Sequence, residues 1–301
     1  MHQYKITIAT PTYNRAAYLD RLYQSIRNQT FRDFEWLIID DGSTDNTKEV
    51  IQGFLADQNS FPISYHKKAN GGKSRAVNYA LDLAKGELFF IMDSDDYLTP
   101  NALERIVYWE STIREKKDFC GVTGNRGISP TETPNLPLKG EYEDVSVLEK
   151  YSGNNALFGE HAEVFYTDIF RKFKYPEFEG EKYMTPCLTF DRMAAAGYRV
   201  RYFQDIIWIC KYLDEGLTKN IQKIQLNNPY GTGLALQERL RFTKASFRQR
   251  FLNYYSFYCD MKVQYDYRQI SDFVKVSPCL MKTIELIHKA KQTISPKKVS
   301  S

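Results

Sequence analysis

Three carboxylates fall within four positions at Asp93-Ser94-Asp95-Asp96, directly after the apolar run Leu88 to Met92. Carboxylates crowded this closely repel one another unless a proton or a cation relieves them. Hard divalent ions such as Mg2+ or Mn2+ take oxygen ligands and commonly bridge protein carboxylates to phosphate oxygens. The chemistry suggested is the holding of a metal-bound phosphate compound, and the plainer reading is an acidic turn capping a helix that begins near Pro100. A second acidic group, Asp40-Asp41-Gly42-Ser43-Thr44-Asp45, follows another apolar run. A glycine turn, Asn70-Gly71-Gly72-Lys73-Ser74-Arg75, puts basic side chains at a helix start, which suits an anion by charge and by dipole.

The elements that must position these groups alternate. Five consecutive apolar residues bounded by Gly86 and a polar cluster predict a buried central strand over Leu88 to Met92. Lys5 to Thr10 predicts a first strand, and Pro11 to Arg15 a loop into a helix with Leu19, Leu22 and Ile26 on one face. A second strand is expected at Phe34 to Ile39, with Ser43, Thr44 and Asp45 as caps for a following helix. A third strand, Ile63 to His66, precedes the glycine turn and a helix over Ala76 to Ala84. This order predicts a mostly parallel, doubly wound sheet, with the acids at carboxyl strand ends where such sheets bind ligands.

The succession Thr10-Pro11-Thr12-Tyr13-Asn14-Arg15, Ile39-Asp40-Asp41-Gly42-Ser43-Thr44-Asp45, Gly71-Gly72-Lys73 with Asn78, and Asp93-Ser94-Asp95-Asp96 resembles the family 2 glycosyltransferases with the GT-A, nucleotide-diphospho-sugar transferase fold. The resemblance implies a nucleotide-sugar donor, UDP-linked by preference, and transfer of a hexose to a saccharide or lipid-linked acceptor in cell-surface polysaccharide synthesis. Tyr13 would stack on the base, and Asp41 would accept from a uracil N3-H with Asp40 in support. Thr10 belongs to the same donor set. Asp95 would bind Mn2+ or Mg2+ directly, with Asp93 contacting ribose or the metal's water, and Lys73 and Arg75 would help with phosphates. Both acids at 40 and 41 have an alternative reading as turn residues, and Lys73 and Arg75 as a solvated helix start.

Beyond this region Pro100 to Ile113 reads as a helix, Phe119 to Thr123 as a strand and residues 124–140 as a Pro-rich loop. His161 sits in a segment that resembles one near the donor sugar in some relatives, although the residues alone read as an exposed loop histidine. Phe178-Glu179-Gly180-Glu181-Lys182-Tyr183 lies where the family places its general base. An inverting transfer needs one carboxylate to take the acceptor's proton, which singles out Glu181, with Glu179 as alternate and two acids at a helix start as the plainer reading. Tyr198 to Tyr202 and Ile206 to Tyr212 are expected as two further strands.

The expected organisation is a catalytic domain over 1–215, its nucleotide-binding half 1–98 and its acceptor half 99–215, followed by a basic, aromatic-rich helical extension over 216–301. From Thr218 to Ser301 there are 15 basic and 5 acidic side chains, net +10, which leaves 26 against 32, net −6, for residues 1–217. A helix over Leu234 to Phe257 would carry Leu236, Leu240, Phe247, Phe251 and Tyr254 as an apolar stripe, interleaved with five arginines and lysines. It is read as packed on its own domain, with peripheral contact at the inner face of a membrane as the functional alternative. Five scattered cysteines argue against a zinc site or disulfide framework, and no leader or spanning segment is recognisable, so a cytoplasmic location is expected. No nucleic-acid-binding module is present. A sugar nucleotidyltransferase would carry a Gly-rich basic loop after its first strand, where this chain has Thr10-Pro11-Thr12-Tyr13. An inactive saccharide- or nucleotide-binding protein on the same scaffold is the remaining alternative.

Overall fold

In the computed structural model, which describes residues 2–150, 157, 159–211 and 220–294, strand β1 (Tyr4–Thr12) opens the chain and helix α1 (Ala16–Arg27) follows it. Leu19, Leu22, Tyr23 and Ile26 of α1 are buried at the spacing of one helical face. Next come β2 (Phe34–Asp40), α2 (Thr47–Ala56), β3 (Ile63–Lys67), α3 (Lys73–Leu83) and β4 (Gly86–Ile91). Tyr23 stacks on Phe54 of α2 at 4.2 Å and faces Trp36 of β2, so the two helices pack on the same sheet face. β1 runs to Thr12, two residues beyond the predicted strand, and Pro11 lies inside it. Of the three expected caps, only Asp45 bonds the start of α2, accepting from the Thr47 backbone N–H at 3.1 Å.

The chain continues through β5 (Tyr97–Leu98), α4 (Ala102–Ser111), β6 (Phe119–Gly127), β7 (Tyr142–Val145), α5 (Val147–Lys150), β8 (His161–Tyr166), α6 (Thr167–Phe170), α7 (Pro186–Ala195) and β9 (Arg199–Ile209). The sheet order is β3-β2-β1-β4-β8-β6-β9-β5, with β7 also on β9. β3, β2, β1 and β4 are parallel, whereas β8 runs antiparallel to both β4 and β6, so the expected central place of β4 is correct and the sheet is mixed. The two strands expected at 198–212 are one bent strand, β9, which pairs with β7 at one end and β5 at the other. The core between sheet and helices is aromatic-rich, with Trp36, Trp109, Trp208, Phe89 and Phe90 fully buried. Each such side chain contributes roughly 2–3 kcal/mol by leaving water.

By internal packing the chain divides into two units, Met1–Tyr175 with Thr189–Leu213 and Pro176–Leu188 with Asp214–Ser301. The segment holding Glu179 and Glu181 thus packs with the C-terminal residues rather than with its neighbours in sequence. The second unit contains α8 (Ile221–Leu226), α9 (Pro229–Phe242), α10 (Phe247–Met261), α11 (Tyr267–Phe273) and α12 (Pro278–Ile294) around Leu240, Phe257, Met261, Ile270, Met281 and Ile284. The helix expected over 234–257 is broken at Thr243–Ser246. Lys244 takes a left-handed φ of 48°, and Ser246 starts α10 with a reciprocal capping box to Gln249. No helix among the described residues is long and apolar enough to cross a membrane.

Candidate active site

Strand register brings the acidic turns to one edge. Thr12 pairs with Asp40 across β1 and β2, and Ala9 pairs with Ile91 across β1 and β4, so the loops after these three strands leave the sheet side by side. Tyr13, the first residue beyond β1, is 47% exposed and free to stack on a flat ligand. Thr10 is not part of this edge: it is fully buried, and its hydroxyl accepts from the Trp36 indole at 2.9 Å.

The turn after β2 is internally satisfied. Asp40 is fully buried, accepting from the Tyr65 hydroxyl at 2.6 Å and the Ser43 backbone at 2.7 Å. Asp41 accepts from the backbone N–H groups of Gly71 at 2.9 Å and Gly72 at 2.6 Å, from Lys68 at 2.8 Å and from the Asn70 amide at 3.0 Å. The anion that fills the predicted glycine cradle is therefore a carboxylate of the chain itself. Gly72, at φ 93°, adopts a backbone conformation that L side chains rarely take, and this aims its N–H at Asp41. Arg75 is half-buried one helical turn into the loop's exit.

The turn after β4 is held differently. Asp93 pairs with the Lys73 ammonium and lies 3.7 Å from the Arg126 guanidinium. Burial alone would raise the Asp93 carboxyl, but Lys73, Arg126 and Arg15 outweigh it and hold the group below the ordinary range. Asp95 meets Arg15 at 3.9 Å, beyond hydrogen-bond length, with its side chain 23% exposed, while Arg21 donates to its backbone carbonyl. Asp96 turns inward and accepts from the Trp208 indole at 2.7 Å and the Lys211 backbone at 2.8 Å; burial pushes its carboxyl up to about 6. The turn therefore does not cap α4, whose start has no side-chain cap. Among the described residues no three His, Cys, Asp or Glu side chains are grouped to hold a metal ion. Two hard-oxygen carboxylates, one of them without a close partner, still fit a divalent ion that takes its other ligands from phosphate and water.

Arg126 and Trp208 were not identified from the sequence. The expected loop 124–140 begins as strand, because β6 continues to Gly127, and shifts of register between Thr123 and Arg126 place Arg126 opposite Trp208 on β9. The guanidinium lies 3.7 Å from the indole centre and donates to the His161 carbonyl at 2.9 Å. Bulges of this kind re-aim side chains beside sites. His161 is buried on β8 rather than exposed in a loop, 2.9 Å from the Lys150 amine and edge-on to Tyr202. Burial, with Lys150 nearby, lowers its imidazole to about 3, so it is neutral.

In the second unit Glu181 is 8% exposed and accepts from the backbone N–H groups of Tyr230 at 2.7 Å and Gly231 at 2.8 Å, at the start of α9. Burial raises its carboxyl despite these bonds. Glu179 is exposed.

The family model described as "Glycosyl transferase family 2" matches residues 7–206, two thirds of the chain. The chain belongs to glycosyl transferase family 2. Over 125 residues it is 40% identical to the chondroitin synthase of Pasteurella multocida strain Pm70, spanning 42% of this chain and 12% of that protein. Over 177 residues it is 34% identical to the GalNAc(5)-diNAcBac-PP-undecaprenol beta-1,3-glucosyltransferase of Campylobacter jejuni, spanning 52% of this chain and 57% of that one. The matched stretch is less than two thirds of either relative's own length. Among solved structures, residues 1-349 of S. aureus TarS in complex with UDP-GlcNAc give a TM-score of 0.57 at 16% identity, covering 95% of this chain and 92% of that one. The mannosyltransferase PcManGT from Pyrobaculum calidifontis, in complex with GDP-Man and Mn2+, gives 0.58 at 17%, covering 99% and 77%. These likenesses establish the GT-A fold.

Proposed function

We propose that this family 2 protein is a glycosyltransferase that moves a hexose from a nucleotide sugar, UDP-linked, to a hydroxyl of a saccharide or lipid-linked acceptor in cell-surface polysaccharide synthesis, with inversion and with Mn2+ or Mg2+. The observation that carries the reading is the turn after β4, where Asp93 and Asp95 meet Lys73, Arg126 and Arg15 at the edge onto which Tyr13 opens. Such a mixture of carboxylates and cations can accept a diphosphate and a divalent ion together. The UDP-GlcNAc and GDP-Man bound in the two solved structures of like fold support a nucleotide-sugar donor, and the names of the two relatives, a chondroitin synthase and a glucosyltransferase named for an undecaprenol-linked saccharide, support a saccharide or lipid-linked acceptor.

In this reading Tyr13 stacks on the base, Lys73, Arg75 and Arg126 face the phosphates, and Asp41 shapes the loop wall through Gly71 and Gly72. Asp95, with Asp93, would hold the ion, which would supply Lewis-acid neutralisation of the charge developing on the departing diphosphate. Glu181 is the general base, with Glu179 as the alternate. It takes the proton of the acceptor hydroxyl as that oxygen bonds to the anomeric carbon, and the bond from that carbon to the diphosphate breaks with its electron pair leaving on the nucleotide. The raised Glu181 carboxyl is the better proton acceptor for being partly desolvated.

The deciding experiment is calorimetric titration of UDP, GDP and dTDP, with and without Mn2+, on the wild type and Asp95→Ala. UDP binding that requires both the ion and Asp95 supports the donor site; absence of nucleotide binding in every condition overturns it. Glu181→Gln should keep UDP binding and lose about 10²- to 10³-fold in kcat. Retention of anomeric configuration, assigned by NMR, would overturn both inversion and the role of Glu181.

A further inference from the structure

The second unit carries a surface that the transfer reaction does not use. Phe247, the first residue of α10, is 81% exposed, and Leu252 is 54% exposed one and a half turns further on. Large apolar side chains so placed lose contact with any core, and the packing of α10 does not need them: its buried face is Tyr254, Phe257, Tyr258 and Met261. Arg241, Lys244 and Arg248, close to them in sequence, are exposed as well. Residues 239–259 hold five Lys or Arg and no Asp or Glu, whereas residues 1–217 are net acidic. The bend that creates the patch is built in, since Lys244 takes a left-handed conformation and the Ser246–Gln249 capping box fixes the helix start at Phe247.

We propose that the turn between α9 and α10 docks on an anionic lipid bilayer, with Phe247 and Leu252 entering the headgroup boundary and Arg241, Lys244 and Arg248 pairing with lipid phosphates. The charge pattern selects this occupant. Exposed apolar side chains and exposed cations in a stretch, residues 239–259, that holds no acid match an anionic interface, where each basic residue adds affinity and each apolar side chain inserts. A nucleic acid would answer the cations but leave the aliphatic Leu252 without a partner. The docking surface lies wholly within the second unit and does not depend on the donor-site reading.

Cosedimentation of the full chain with phosphatidylglycerol–phosphatidylcholine vesicles tests this, using Lys244→Glu/Arg248→Glu and Phe247→Ser/Leu252→Ser beside the wild type. Unchanged circular dichroism and an unchanged melting temperature would certify each variant. The expected result is binding that falls with salt, is absent on pure phosphatidylcholine, and weakens by about tenfold or more in each double variant. Equal binding by the variants, or equal binding to neutral vesicles, overturns the proposal. So does release by inorganic phosphate at the headgroup concentration, which would indicate a free-anion site. Retention of a DNA or RNA duplex by the same residues, or a dimer in sedimentation that both variants abolish, assigns the patch to another partner and overturns it too.

Discussion

Two acidic turns stand side by side at the edge of one sheet and are held by opposite means. After β2, Asp40 and Asp41 are almost wholly enclosed, and their oxygens accept from backbone N–H groups, a tyrosine, an asparagine and a lysine. After β4, Asp93 and Asp95 are partly open and face mainly the flexible cations Lys73, Arg126 and Arg15. Backbone donors fixed by the fold cannot be exchanged without unfolding the loop, whereas side-chain cations can turn from a carboxylate to an arriving phosphate. The first turn is held in large part by the backbone around it, and the second mainly by side-chain cations.

The contrast is broken most sharply at Asp95. Replacement by alanine should cost about 10²- to 10³-fold in activity, some 3–4 kcal/mol, and leave the melting temperature within about 1–2 °C. A large loss of stability would place Asp95 with the first turn instead. Asp41→Ala should do the reverse: four donors lose their acceptor, so thermal unfolding should register a loss of about 2–4 kcal/mol. An Asp41→Ala protein as stable as wild type would show that the glycine loop does not depend on that carboxylate.

Asp96 sharpens the comparison through pH. Its carboxyl is raised to about 6 in the fold against an ordinary 3.8, so the folded state binds the extra proton. Its contribution is fully present below about pH 4 and is lost as pH rises through 6, at most about 3 kcal/mol. Relative to Asp96→Asn, the wild type should therefore lose stability between pH 4 and pH 7, and parallel melting profiles would remove the effect. Smallest is Arg126→Met, which leaves Asp93 with Lys73 and is expected to weaken UDP binding about tenfold by calorimetry, without abolishing it. No change would confine Arg126 to packing against Trp208.

Much of this was legible because the first hundred residues are local in their logic. Strand, turn and helix follow each other within a few residues, so the turns that carry Asp41, Lys73, Asp93 and Asp95 are legible from periodicity and turn chemistry, whereas Tyr13 is singled out only by the family resemblance. Thr10, expected in the donor set, lies buried inside β1, because the strand continues through Pro11, a residue type that usually marks a strand's end. Arg126 escaped because its position depends on pairing with Trp208 some eighty residues away and on irregular register that no local pattern encodes. His161 was read as loop for a similar reason: β8 inserts antiparallel between two strands, and its burial comes from partners distant in sequence. The break in the helical extension, by contrast, had a readable signal in Ser246-Phe247-Arg248-Gln249, which the apolar periodicity across it obscured.

The tether from Glu181 to the start of α9 bridges 49 and 50 residues of chain. On a ribosome the carboxylate emerges well before the N–H groups it accepts from, so this tether can close only after Tyr230 and Gly231 have been made.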